Sequence, residues 1–278
     1  MKQVSLVYFS PGGTTRKTVR TIAEGMEDAS VTSVREYDML NPANRRAPLH
    51  FTGDDLVILG MMTATKLFGL PDEIMACLKG DNTPLAGVVL FGNGYYGPSL
   101  KLMKRGCEAS GFKMVAAGAF IGQHTYDNDI GRGRPDEKDR IIQRDFGRQI
   151  HEKVYGAQDL SFGHELKTDW PEEGLFSTLK CGIISALPGM SVRLPASWSR
   201  KRITGDCIEC LACEKRCPVG AIDIEIRSFD YKKCIGCFAC GNHCPKNAIV
   251  TDNKKLTKSV ANVKKYRMKK RREPELFI

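Results

Sequence analysis

Eight of the eleven cysteines fall in two copies of one pattern. The first copy is Cys207-x2-Cys210-x2-Cys213-x3-Cys217-Pro218, and the second is Cys234-x2-Cys237-x2-Cys240-x3-Cys244-Pro245. A shift of 27 residues lays Cys207-Ile208 on Cys234-Ile235, Ala212-Cys213 on Ala239-Cys240 and Ala221-Ile222 on Ala248-Ile249, so the runs are an internal repeat. Three thiols two residues apart can wrap a tight loop around three corners of one centre, and a fourth must come from elsewhere. Zinc sites usually place two C-x2-C pairs across a longer gap, and here a third cysteine crowds in at once. Disulfides need an oxidising compartment and usually a small secreted chain. Buried structural cysteines would not repeat at fixed spacing. The spacing therefore favours a four-thiolate iron–sulfur cube over each of these.

These runs resemble those of bacterial dicluster ferredoxins, over about residues 201–253. In that family the fourth cysteine of each run serves the other cube. The resemblance implies two [4Fe–4S] clusters, one on Cys207, Cys210, Cys213 and Cys244, the other on Cys234, Cys237, Cys240 and Cys217. Pro218 and Pro245 suit the first position of a short helix. Ile208, Ile235, Ile222 and Ile249 are expected to shield the cubes from water.

A chain of 278 residues that is 42% apolar can bury a sizeable core and exceeds one typical domain. No secretion signal is read at Met1-Lys2-Gln3, and no run of about 18 uncharged apolar residues marks a membrane span. Abundant free thiolates point to a reducing cytoplasm. The net charge of +10 is uneven: residues 254–278 hold ten Lys/Arg against two Asp/Glu. Almost all the excess is therefore a tail.

The N-terminal part alternates apolar runs with helical periodicity. Strands are expected at Val4–Phe9, Val31–Glu36, Leu56–Gly60, Val88–Gly92 and Met114–Ile121. Helices are expected at Thr14–Ala29, Pro71–Leu78, Ser99–Ser110 and Asp136–Val154, the last with Ile141, Ile142, Phe146 and Ile150 on its apolar face. Such alternation implies a parallel sheet covered on both sides, a doubly wound α/β fold. Five strands fit the order 2-1-3-4-5, whose ligand crevice lies at the carboxyl ends of the strands.

Ser10-Pro11-Gly12-Gly13-Thr14-Thr15 lies between the first strand and its helix. Glycines let the backbone come close, hydroxyls donate, and a helix N-terminus favours an anion. The loop lacks the Lys-Ser/Thr ending of a P-loop and the second glycine spacing of a dinucleotide site. The loop and the five-strand plan resemble flavodoxins. The resemblance covers about residues 1–155 and implies FMN, with its phosphate at Ser10, Gly12, Gly13, Thr14 and Thr15. It also makes Asn93, Gly94, Tyr95, Tyr96 and Gly97 the flavin-ring loop, with Tyr95 or Tyr96 as a stacking wall. The loop after the third strand brings Met62, Thr63, Ala64 and Phe68, and departs from many relatives in having no early aromatic. Lys66 is either near the ring or a solvated loop lysine.

Four segments follow: a flavodoxin-like FMN module at 1–155, a linker at 156–200, a small α+β dicluster ferredoxin module at 201–253 and a basic tail at 254–278. Trp170, Phe176 and Trp198 mark the linker as an interface segment, and Cys77, Cys107 and Cys181 read as small buried hydrophobes. The tail is expected to be a solvated helix or disordered, or else a dock for an acidic redox partner. Flavodoxin followed by dicluster ferredoxin resembles a family of two-module electron carriers. It implies a cytoplasmic protein linking ferredoxin-type or oxidoreductase donors and acceptors in low-potential, anaerobic metabolism, with no acid–base residue needed. The alternative is a flavin-dependent reductase acting on NAD(P)H or a small substrate. Nucleic acid is not an expected partner, and a homodimer is left open.

Overall fold

The computed structural model describes residues 2–26, 31–64, 66–169, 183, 189–192, 200–251, 253–267 and 271–278. Its main sheet has strands β1 (Lys2–Phe9), β2 (Val31–Asp38), β3 (Asp55–Met62), β4 (Thr83–Phe91) and β5 (Phe112–Ile121). They pair in parallel in the order β2-β1-β3-β4-β5. All nine residues of β4 are buried, as an unbroken apolar run covered on both faces requires.

Helices α1 (Thr14–Glu24), α2 (Pro71–Cys77), α3 (Ser99–Ala109) and α4 (Glu137–His151) cover the sheet. One face packs Val4, Leu6 and Tyr8 against Val19 and Ile22 of α1 and Phe146 and Ile150 of α4. The other packs Val7 and Phe9 with Ile74 of α2 and Leu100 and Met103 of α3. Each fully buried aliphatic or Phe side chain contributes about 1.5–3 kcal/mol relative to exposure, so the alternation within β1 drives both layers to assemble.

Several boundaries differ from expectation for visible reasons. Helix α1 stops at Glu24 because the chain turns at Gly25, where α4 presses close; the expected last residues of that helix lie outside the described ones. Helix α4 begins with a capping box between Asp136 and Asp139 and passes into a π-helical turn at Glu152–Gly156. Its buried stripe is Asp139, Gln143, Phe146, Gly147 and Ile150, whereas Ile141 is 58% exposed and not on the apolar face. Cys77 and Cys107 are buried, as small hydrophobes are.

The largest departure is at the C-terminus. Strand β6 (Glu275–Phe277) pairs antiparallel with β5, Leu276 opposite Gly118, and becomes a sixth strand at the sheet edge. The end of the tail is therefore part of the N-terminal fold, not a solvated extension. Earlier in the tail lies helix α5 (Lys254–Arg267), and Arg271–Pro274 runs without regular structure into β6.

The cysteine runs lie in a small module with two antiparallel strand pairs. Lys201–Ile203 pairs with Ile249–Thr251, and Ile222–Asp223 pairs with Ser228–Phe229. Short helices Ala212–Lys215 and Ala239–Asn242 carry the third cysteine of each run, Cys213 and Cys240. Among the described residues no helix is long and apolar enough to cross a membrane. Trp170, Phe176, Cys181 and Trp198 of the expected interface segment lie outside the described residues.

Candidate cofactor sites

The internal repeat is written into the backbone. Glu209, Leu211 and Gly220 have positive φ, and so do Gly236, Phe238 and Asn247, each 27 residues on. Left-handed conformation is uncommon for leucine and phenylalanine, so both loops are held in a strained wrap. The wrap points cysteines inward. Cys207, Cys210, Cys213 and Cys244 line one cavity with Ile203, Ile224 and Ile249. Cys217, Cys234, Cys237 and Cys240 line another with Ile222, Ile235 and Phe238. Each set of four joins three thiols of one run to the last thiol of the other.

The donor chemistry fits a cube in each cavity. Backbone N–H groups of Ala221 and Ala248 donate to Cys217 Sγ and Cys244 Sγ, both at 3.2 Å and again repeat-related. Burial pushes the Cys237 and Cys240 thiols up to about 12. Sulfurs so placed become thiolates when cationic metal compensates them. Among the described residues no group of His, Cys, Asp or Glu converges tightly enough for a single metal ion. Four sulfurs spaced around an apolar hollow match a cube with one iron per sulfur.

The two cavities differ in exposure. Cys210 is exposed, and Ile208 (57%) and Leu211 (41%) line the same cavity at its rim, so Ile208 covers the cube's place from outside while itself meeting solvent. Ile235, Cys237 and Ala239 instead belong to the same buried cluster as Phe9, Met39 and Phe68 of the N-terminal half. The second cavity thus faces inward and the first outward. Tyr126, in the loop after β5, stacks on Phe238 at 5.1 Å, and its hydroxyl donates to the Gly236 carbonyl. Arg216 pairs with Asp38 at 3.1 Å across the same junction.

The expected phosphate loop caps α1, with Gly13 in left-handed conformation. Ser10 is buried and its Oγ accepts from the Arg16 amide at 3.0 Å, while Thr15 is buried against Gly60. Thr14 and Gly12 instead border a polar cleft of about 140 Å³, with Lys17, Thr125, Arg134 and Asn242 around it. Hydroxyls alone do not make this site: two cations stand at the cleft. Arg134 is bound to Asp139, both nearly fully buried, which leaves Lys17 the less committed charge. Asn242 comes from the cysteine-rich module, and its Nδ2 donates to Thr125 O at 3.4 Å. Glycine and hydroxyl spacing gives no signal for Lys17, Arg134 or Asn242, which come from three separate elements.

The expected ring loop is tied down by the C-terminus. The Arg272 amide donates to Asn93 Oδ1 at 3.1 Å, and its guanidinium donates to Gly94 O at 2.7 Å while lying 5.2 Å over the Phe91 ring. Gly97 and Asp169 exchange backbone hydrogen bonds, and Asp169 also accepts from Arg272 at 3.0 Å. Burial raises the Asp169 carboxyl above its ordinary value.

Tyr96 is fully buried and its hydroxyl donates to Glu275 Oε2 at 2.9 Å, so it is a core residue and not a stacking wall; Tyr95 is half-buried. Phe68 is 3% exposed in the core, too deep to cover a ring. The Thr63 hydroxyl donates to Lys66 O or shares a hydrogen with Ser99 Oγ, while Met62 is half-buried and Ala64 exposed. Lys66 is buried and donates to Gly189 O, so it is neither solvated nor shown at a ring.

Residues 200–245 match the 4Fe-4S dicluster domain family. No curated protein matches the chain at a significant level. Among solved structures, an archaeal flavodoxin aligns at 16% identity and TM-score 0.39, over 55% of this chain and 98% of its own. A flavodoxin-like domain from Synechococcus sp. aligns at 13% identity and TM-score 0.34, over 54% of this chain and 97% of its own. A flavo di-iron protein from Thermotoga maritima aligns at 13% identity and TM-score 0.34, over 54% of this chain but only 36% of its own. Strand order, not these overlaps, assigns the N-terminal fold. The chain thus joins a flavodoxin-like α/β module to a 4Fe-4S dicluster domain, a pairing suited to electron transfer.

Proposed function

We propose that this protein is an electron carrier that passes electrons between FMN on the N-terminal module and two [4Fe–4S] clusters on the cysteine-rich one. Bound FMN would supply a two-electron site and the cubes one-electron sites, so the chain would convert between the two. The reading is supported above all by the inward cavity: its loop residues Ile235, Cys237 and Ala239 share one buried core with the flavodoxin-like half.

The protein's own groups would position and insulate. Thr14, Lys17 and the Gly12–Gly13 amides would hold the flavin phosphate at the start of α1. Arg272 and Asp169 hold the 93–97 loop in one conformation, which would preorganise a ring site. The Tyr126–Phe238 stack holds the modules against each other. The outward cavity, with Cys210 exposed and Ile208 and Leu211 as an apolar lip, is where a redox protein partner would exchange electrons.

The expected docking role of the tail narrows. Lys264 is engaged by Asp127 and Asp129, and Arg271 by Asp136, so among the described residues the exposed Lys254, Lys255 and Lys258 at the start of α5 are candidates for steering.

The test is anaerobic purification with iron, sulfide and flavin quantified, followed by EPR during stepwise reduction. About eight irons and one FMN per chain are expected, with cluster signals growing in as electrons are added. A colourless product, or one loaded only with zinc, would overturn the proposal.

A further inference from the structure

Lysine is rarely buried, and Lys201 is 5% exposed. It opens the strand Lys201–Ile203 and lines the inward cavity with Cys217, Cys234, Cys237 and Cys240. Its Nζ donates to Cys234 Sγ at 3.3 Å and lies 5.9 Å from the centre of the Phe229 ring. The backbone beneath is clamped twice by one side chain: the Lys201 amide donates to Tyr231 Oη at 3.1 Å, and the Tyr231 hydroxyl donates back to Lys201 O at 2.6 Å. The ammonium is therefore held at the sulfur by a fixed strand rather than arriving on a mobile loop.

The internal repeat supplies a built-in control. The 27-residue shift that superposes the cysteine runs lays Lys201 on Ser228 and Cys234 on Cys207. The strands agree, since Lys201–Ile203 pairs with Ile249–Thr251 and its counterpart Ser228–Phe229 pairs with Ile222–Asp223. At the repeat-related position the outward half of the module has a half-buried serine where the inward half has a buried cation. Its own lysine, Lys246, is exposed at the rim, where water screens it. The two halves of the pseudo-symmetric module are alike in sulfur ligation and unlike in charge.

We propose that Lys201 sets the inward cluster at a higher reduction potential than its repeat-related partner, so that the first electron rests there and the exposed cluster fills second. This rests on the two-cluster reading above. Adding one electron to a cube adds one negative charge and no proton. A buried ammonium bonded to a ligand sulfur stabilises the reduced cube more than the oxidised one, and hydrogen bonds to sulfur act in the same direction. The low-dielectric surroundings make that preference stronger than the same charge would give at the surface. In consequence the apolar lip at Cys210 presents a reduced cluster to a partner only after a second electron has entered.

The experiment is an anaerobic potentiometric titration with dithionite, followed by EPR, on the wild-type chain and on Lys201→Met, Lys201→Arg and Ser228→Lys. The wild type is expected to take up two electrons in separate cluster steps. Lys201→Met should move the first step to lower potential and leave the second, and Lys201→Arg should keep the first step near its wild-type position. Ser228→Lys should raise the second step and leave the first. Unmoved steps in Lys201→Met with all iron retained would overturn the role of Lys201 while leaving the cluster reading intact. If Lys201→Met loses iron, Lys201→Gln and Ser228→Lys decide, and an unmoved second step in Ser228→Lys overturns the proposal. An iron-free wild-type chain would sink both readings at once.

Discussion

Two glycines determine how closely α1 and α4 approach. A Cβ on Gly147 would lie 1.9 Å from the Ile22 carbonyl oxygen, and one on Gly25 would lie 1.9 Å from the Arg144 carbonyl oxygen. Both obstacles are backbone, which cannot swing aside as a side chain does. Gly147→Ala must therefore push two helices apart over the layer formed by Ile22, Phe146 and Ile150. Overpacking of this kind costs about 1–3 kcal/mol. In a chain of this size that should lower the melting temperature by several degrees, roughly 2–4 °C per kcal/mol. A thermal melt of Gly147→Ala that superimposes on wild type would show that the helices have slack. The change is purely one of volume, because neither Gly25 nor Gly147 has positive φ.

Elements that close over distance govern the ring loop. Strand β6 and the segment before it are anchored by Arg271 on Asp136 and by Arg272 on Asn93, Gly94 and Asp169. The Arg271 hydrogen bond holds the Asp136 carboxyl below its ordinary value of 3.8. A carboxylate depressed in the folded state stabilises it fully above that ordinary value and loses the contribution as pH falls below it. Acidification below about pH 4 should therefore loosen the 271–277 strap, read as falling hydrogen-exchange protection at Glu275–Phe277 after correction for intrinsic rates. Arg271→Ala should show weaker protection at neutral pH and lose this acid step; an unchanged acid step in Arg271→Ala would refute the assignment. What was legible in the sequence follows from the same distinction between local and distant. Four of the five parallel strands announce themselves as short apolar runs and the exposed edge strand β2 by alternation, while the cysteine runs stand in local spacing and the exchanged fourth thiol comes from the ferredoxin resemblance. Strand β6 does not, because Glu275-Leu276-Phe277 after a basic run reads as a tail until Ala117–Ala119 is found beside it. Tyr95 and Tyr96 are indistinguishable in sequence, and only the position of Glu275 decides which one is core. Lys17, Arg134 and Asn242 converge on the cleft from a helix, a loop and another module, a meeting no spacing rule encodes.

At the scale of the whole molecule, the modules share residues as well as a surface. Asn242 borders the polar cleft beside Gly12 and Thr14, and in sequence it stands midway between Cys240 of the inward set and Cys244 of the outward one. Phe238, which stacks on Tyr126, lies between Cys237 and Cys240. Filling the inward cavity with a cube would fix the backbone that carries both contacts, whereas the outward loop at Cys207–Cys213 touches neither. Binding free energies are reciprocal, so if the inward cube orders this junction, its presence must strengthen phosphate binding and FMN must in turn protect that cube. Couplings of this type run to about 5–150-fold in affinity. On the proposed function, Cys237→Ser would remove an inward ligand and is therefore expected to weaken FMN binding at least several-fold in a fluorescence-quenching titration of deflavinated protein. Cys210→Ser would remove an outward ligand and should leave the affinity near wild type, because Cys210 is exposed and lines a cavity that neither Asn242 nor Tyr126 borders. Equal affinities in all three proteins would mean that the junction is already rigid without iron and that the modules are joined mechanically but not linked in binding. The asymmetry between the two variants is the decisive quantity, since a general loss of stability would weaken FMN binding in both.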